Sequence, residues 1–104
     1  MTRDELMHFH DAMNLAGLAI MEAKNHDYAG ESGDTPFANF EIVEKMGLCS
    51  TEHGMVVRMA DKFMRIVSFV KSGSLSVKDE SVRDTIIDLR NYLVLLAAYM
   101  EDKT

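Results

Sequence analysis

Two lines of polar side chains stand out in this sequence because their spacing could support phosphate or metal chemistry. Arg58, Asp61, Lys62 and Arg65 recur at +3, +4 and +7, which at about 100° per residue places them in one narrow sector of a helix. Glu80, Asp84, Asp88 and Asn91 form a second line at +4, +8 and +11. Two carboxylates one turn apart can share a hard cation such as Mg²⁺, which takes oxygen ligands and keeps several waters. Such an ion would hold nucleotide phosphates, while the arginines and lysine of a facing helix would neutralise the remaining charge. The same spacing also describes plain solvated faces, with Arg58–Lys62 and Asp61–Arg65 as ordinary i,i+4 neighbours.

A third cluster lies between the first two helical segments. Lys24, Asn25, His26, Asp27 and Tyr28 place five hydrogen-bonding side chains in five consecutive positions, where the pattern of the first helix fades into a glycine-bearing stretch. Long connections in small domains are often functional. Phe37, Asn39 and Phe40 follow; aromatic rings with an amide suit stacking on a base and reading its edge. They suit a core equally well. His8, His10 and His53 have no zinc spacing and read as surface residues, and the lone Cys49 reads as an inert small hydrophobe.

The elements that must position these residues are helical almost throughout. Thr2 and Glu5 are spaced as a capping box, and Leu6, Phe9, Met13, Ala16 and Ile20 then repeat on one face. Thr35 as N-cap and Pro36 as first helical residue open a short helix carrying Phe37, Phe40, Val43 and Met46, stopped by Gly47. A third helix begins near Ser50 or Thr51 with Val56, Met59, Phe63, Ile66 and Val70 as its stripe, and ends at Ser72-Gly73. A fourth starts near Asp79 as N-cap and carries Val82, Ile86, Leu89, Leu93, Leu96 and Met100. The expected fold is all-α: a small bundle of three long helices and one short one over about 3–26, 36–46, 51–72 and 79–101 of a single domain. Beyond Tyr92 the last helix is apolar nearly all round, which a small monomer cannot hide, so oligomerisation is expected to complete the bundle.

Composition sets the outer limits. The chain has 104 residues, 47% hydrophobic and 27% charged, the balance of a folded soluble domain. Residues 1–50 carry three basic side chains against nine acidic ones, and residues 51–104 carry eight of each. No basic face suited to duplex nucleic acid is visible. No apolar run approaches the ~20 residues of a membrane span, and the acids at the N-terminus do not read as a signal peptide. A cytoplasmic location is expected.

The blocks Lys24-Asn25-His26-Asp27-Tyr28, Pro36-Phe37-x-Asn39-Phe40, Arg58-x-x-Asp61-Lys62-x-x-Arg65 and Glu80-Ser81-x-x-Asp84-Thr85-x-x-Asp88-Leu89-x-Asn91-Tyr92 resemble the phage and bacterial family called nucleotide modification associated domain 1. That family is similar to the all-α NTP pyrophosphohydrolases, the MazG-like and dimeric dUTPase-like group. The resemblance implies a helical bundle assembling as a homodimer or homotetramer. It also implies Mg²⁺-dependent cleavage of a nucleoside triphosphate to the monophosphate and pyrophosphate. On it, Glu80, Asp84 and Asp88 are the expected metal ligands, and Asp61 and Glu80 the catalytic acids that ligate or position the attacking water. Lys24, Asp27, Tyr28, Asn39, Arg58, Lys62, Arg65 and Asn91 are the expected substrate-binding residues. One acidic pair of that group is absent here, since Arg58 and Lys62 occupy its face. The alternatives are therefore a non-catalytic oligomer that binds or sequesters a nucleotide, and a protein-interaction module.

Overall fold

The structure, a computed structural model, describes residues 1–29 (for 26–29 the backbone alone), 35–73 and 82–104. It is an all-α bundle of α1 (Arg3–Ala29), α2 (Ala38–Lys45), α3 (Thr51–Ser72) and α4 (Val82–Lys103). No helix is long and apolar enough to cross a membrane among the described residues. Helix α4 packs on both α3 and α1, and the short α2 lies against α1 and α3. Helices α3 and α4 run antiparallel: Glu52 at the start of α3 is 3.9 Å from Lys103 at the end of α4, while Lys62 meets Asp88 farther along.

Local chemistry sets most boundaries. The capping box forms as expected, with the Glu5 amide donating to Thr2 Oγ1 at 3.1 Å and the Thr2 amide donating to Glu5 Oε2 at 3.2 Å. Ser50 caps α3 by accepting from the His53 amide at 3.0 Å. Gly73 closes it with φ +63°, its N–H donating to the Phe69 carbonyl, a left-handed cap that suits glycine. Two boundaries differ from expectation, those of α1 and α2. Helix α1 continues to Ala29, so Lys24–Tyr28 are its last turns rather than a loop. Helix α2 starts at Ala38, because Thr35 Oγ1 accepts from the Phe37 amide and folds Pro36-Phe37 into a turn ahead of the helix. Helix α4 spans Val82–Lys103, and the expected cap Asp79 lies outside the described residues.

The core joins α2, α3 and α4 through Phe37, Phe40, Met55, Met59, Leu95 and Tyr99. Phe37 meets Tyr99 edge-on at 5.2 Å between ring centroids, and Phe40 meets Tyr92 at 6.2 Å, geometries that favour aromatic pairs. The expected stripes are only partly the buried ones. On α3, Met59 is buried, whereas Val56, Phe63 and Val70 are exposed; on α4, Leu93 and Met100 are exposed; on α1, Leu6 and Phe9 are exposed. Met46, expected on the buried face of α2, is also exposed. The long helices carry two apolar faces each, and a period of 3.6 alone does not say which one turns inward.

Candidate functional site

Asp88 is the hub of the polar residues. Its Oδ2 accepts from Lys62 Nζ of α3 at 3.2 Å, and its Oδ1 lies 3.7 Å from Lys24 Nζ of α1. Three helices thus converge on one carboxylate. The Asp88 side chain is 15% exposed and that of Lys62 18%, so water supplies little of their solvation. A single carboxylate so placed would be costly, and the two ammonium groups offset that cost. The triad carries a net positive charge, and Lys24, 46% exposed, presents it to solvent.

The neighbours follow from helical geometry. Arg58, one turn before Lys62, lies with its guanidinium 4.7 Å above the Phe40 ring, a cation–π contact. Asn91, three residues after Asp88, donates from Nδ2 to the carbonyl of Gly17 at 3.0 Å and so ties α4 to α1. A Cβ on Gly17 would stand 3.0 Å from Asn91 Oδ1, so the glycine is what lets the amide settle against the α1 backbone. Arg90 donates to Asn14 Oδ1 across the same seam.

Other expected site residues fall elsewhere. Asp61 is 68% exposed and pairs at 3.6 Å with Arg65 of its own helix. Asp84 is exposed, one turn before Asp88. Asn39 is half-buried on α2. Phe37 and Phe40 are core rings rather than an open stacking platform. Glu80 and the side chains of Asp27 and Tyr28 lie outside the described residues. His8, His10 and His53 are on the surface, as expected.

These positions allow a test of the expected Mg²⁺. Among the described residues, no group of three or more His, Cys, Asp or Glu side chains could hold a metal ion. Of the two described acids proposed as ligands, Asp88 has its oxygens engaged by ammonium groups. A hard cation asks for several oxygen ligands, and Glu80, the third expected ligand, lies outside the described residues.

Sequence reasoning overlooked Gly17, Asn14 and Arg90. The signal for Gly17 was present, since an isolated glycine on a helix face can mark close backbone approach; nothing in the spacing marked the other two. Comparison with known proteins finds no matching family model, no matching curated protein and no matching solved structure.

Proposed function

We propose that the protein is an oligomeric nucleotide-binding protein that holds phosphate through ammonium groups rather than through a resident metal. The observation that carries this reading is the convergence of Lys24 and Lys62 on Asp88. An incoming phosphate takes over the Lys24 contact and shares Lys62, so a charge pair is exchanged rather than created in an empty site. Arg58, held over Phe40, supplies a further cation on the same helix. The resemblance of the four sequence blocks to a nucleotide-handling family supports the same substrate class.

Surface area supports the oligomeric part. The chain exposes 7388 Å², against about 5,900 Å² for a monomer of this mass. Its radius of gyration is 15.6 Å, where a compact domain of this length has about 13 Å. Val56, Phe63 and Val70 of α3 and Leu93 and Met100 of α4 are among the exposed apolar side chains that a second copy would cover.

The test is a thermal-shift panel of NTPs, dNTPs and monophosphates, run with Mg²⁺ and with EDTA, with each mixture then separated by nucleotide chromatography. A melting temperature that rises with an intact nucleotide, survives EDTA and is lost in Lys62→Met is the expected result. Monophosphate and pyrophosphate formed only with Mg²⁺ would overturn it in favour of hydrolysis by Asp61, Glu80, Asp84 and Asp88. No response to any nucleotide would leave a protein-interaction module as the better description.

A further inference from the structure

We infer that the seam between α1 and α4 contains a base subsite shaped for a single-ring, pyrimidine-type heterocycle. The inference rests on the phosphate reading above for its biological sense, though not for its geometry. A cavity of about 170 Å³ opens there. Cavities of about 150 Å³ lined by apolar side chains admit benzene, so this one is matched in size to a single six-membered ring. Met13 and Met21 of α1 and Ile87 and Val94 of α4 form its apolar walls. Methionine adapts readily to a flat polarizable ring.

The polar lining is sparse and directional, as a ligand pocket requires. Asn91 gives one amide N–H to the Gly17 carbonyl, which fixes the side chain and leaves its Oδ1 and second N–H for a ring edge. Arg90 gives one N–H to Asn14 and keeps further donors of its fork for a ring carbonyl. A pyrimidine offers alternating donors and acceptors along one edge, which an amide and a guanidinium can satisfy together. The subsite also adjoins the ammonium groups. Met21 and Lys24 are three residues apart on α1, Asp88 and Asn91 three apart on α4, and such pairs are neighbours on a helix surface. One nucleotide can therefore place its base in the cavity and its phosphate at Lys24 and Lys62.

The experiment uses the full chain labelled with ¹⁵N and titrated with uridine, cytidine, thymidine, adenosine and guanosine. These nucleosides carry no phosphate, so the subsite is tested apart from the phosphate reading. Pyrimidine nucleosides are expected to shift the Gly17 amide and the Asn91 side-chain amide, with purine nucleosides at least roughly tenfold weaker. Val94→Phe, which fills the cavity from a half-exposed position, is expected to abolish the shifts. Arg90→Lys, which keeps the charge and removes the planar fork, is expected to weaken them even if the phenylalanine disturbs folding. Equal binding of purines, shifts away from α1 and α4, or no nucleoside binding would overturn the subsite. If nucleotides bind without preference for the base, the subsite falls and the phosphate reading stands. If pyrimidine nucleosides bind as tightly as their nucleotides, the phosphate reading falls and the subsite stands.

Discussion

Lys62 of α3 donates to Asp88 of α4 at 3.2 Å across 26 residues of sequence, and both side chains are more than four-fifths buried. With Lys24 on the other carboxylate oxygen, the pair joins all three long helices at one point. Its stabilising role and its proposed binding role make opposite demands, because a phosphate binds by loosening a contact that holds the bundle.

The two roles separate on mutation. Asp88→Asn removes the carboxylate that Lys62 and Lys24 share, and the expected loss is about 3–5 kcal/mol. Lys62→Met keeps the stem's packing and leaves Asp88 with Lys24, so a smaller loss of about 1–3 kcal/mol is expected. Added phosphate or nucleotide should restore part of the stability of Asp88→Asn by replacing the missing anion, and none of that of Lys62→Met. Urea denaturation with and without ligand measures both, and rescue of Lys62→Met instead would contradict the assignment of Lys62 as a phosphate donor.

That pairing was half visible in the sequence. The opposed polar lines on two helices placed Lys62 and Asp88 in facing stripes, and charge complementarity between them follows directly. The stripes did not tell that Asp61 is largely exposed while Lys62 beside it is mostly buried, because adjacent helix positions point about 100° apart and fall on either side of a contact. The helices themselves were legible from caps and period. The buried face was not, since Thr51, Thr85 and Gly17 are buried where Val56, Phe63 and Val70 are exposed, an inversion that no hydrophobic period announces. A small residue wins such a position when two helices approach closely.

Glycine substitutions test that close approach. Gly to Ala inside a helix ordinarily stabilises by about 0.5–1 kcal/mol. At Gly54 the added Cβ would meet Val43 Cγ2 of α2 at 2.9 Å, and a β-branched side chain has little rotamer freedom to yield. Gly54→Ala should therefore destabilise by about 1–3 kcal/mol. At Gly17 the new contact is the Asn91 Oδ1 at 3.0 Å, and a small displacement of the amide relieves it, so Gly17→Ala should be nearly neutral and Gly17→Val clearly worse. Thermal unfolding of the three variants ranks them, and a stabilised Gly54→Ala would mean that α2 does not sit this closely on α3.

The start of α3 gives an independent check on local structure. Ser50 accepts from the His53 amide at 3.0 Å, and Ser50→Ala removes the acceptor and leaves that amide to water. A loss of about 0.5–2 kcal/mol is expected, whereas Ser50→Asp or Ser50→Asn should keep most of the stability. Equal stability of the alanine and aspartate variants in urea would show that the cap is not used.

The outer face of α3 decides how the bundle is completed. Val56, Phe63 and Val70 recur every seven residues and are each more than half exposed, with Ala60 and Val67 interleaved at spacings of four and three. That is the seam along which two helices pack as knobs into holes. In an isolated chain, Phe63→Glu replaces an exposed ring with a soluble carboxylate and changes stability by no more than about 0.5 kcal/mol. In an oligomer sealed by this seam, the same change buries unpaired carboxylates and separates the copies. Sedimentation velocity of the unaltered protein should show a dimer or tetramer and Phe63→Glu a smaller species, with a melting temperature that depends on protein concentration only in the former. Leu93→Glu on α4 serves as the comparison. If it dissociates the oligomer while Phe63→Glu does not, the contact runs along α4, and a second copy then lies beside Val94 at the mouth of the α1–α4 cavity. If both dissociate it, the interface spans α3 and α4 together. If neither does and the protein sediments as a monomer, the apolar face of α3 awaits a different protein partner and the oligomeric reading is wrong.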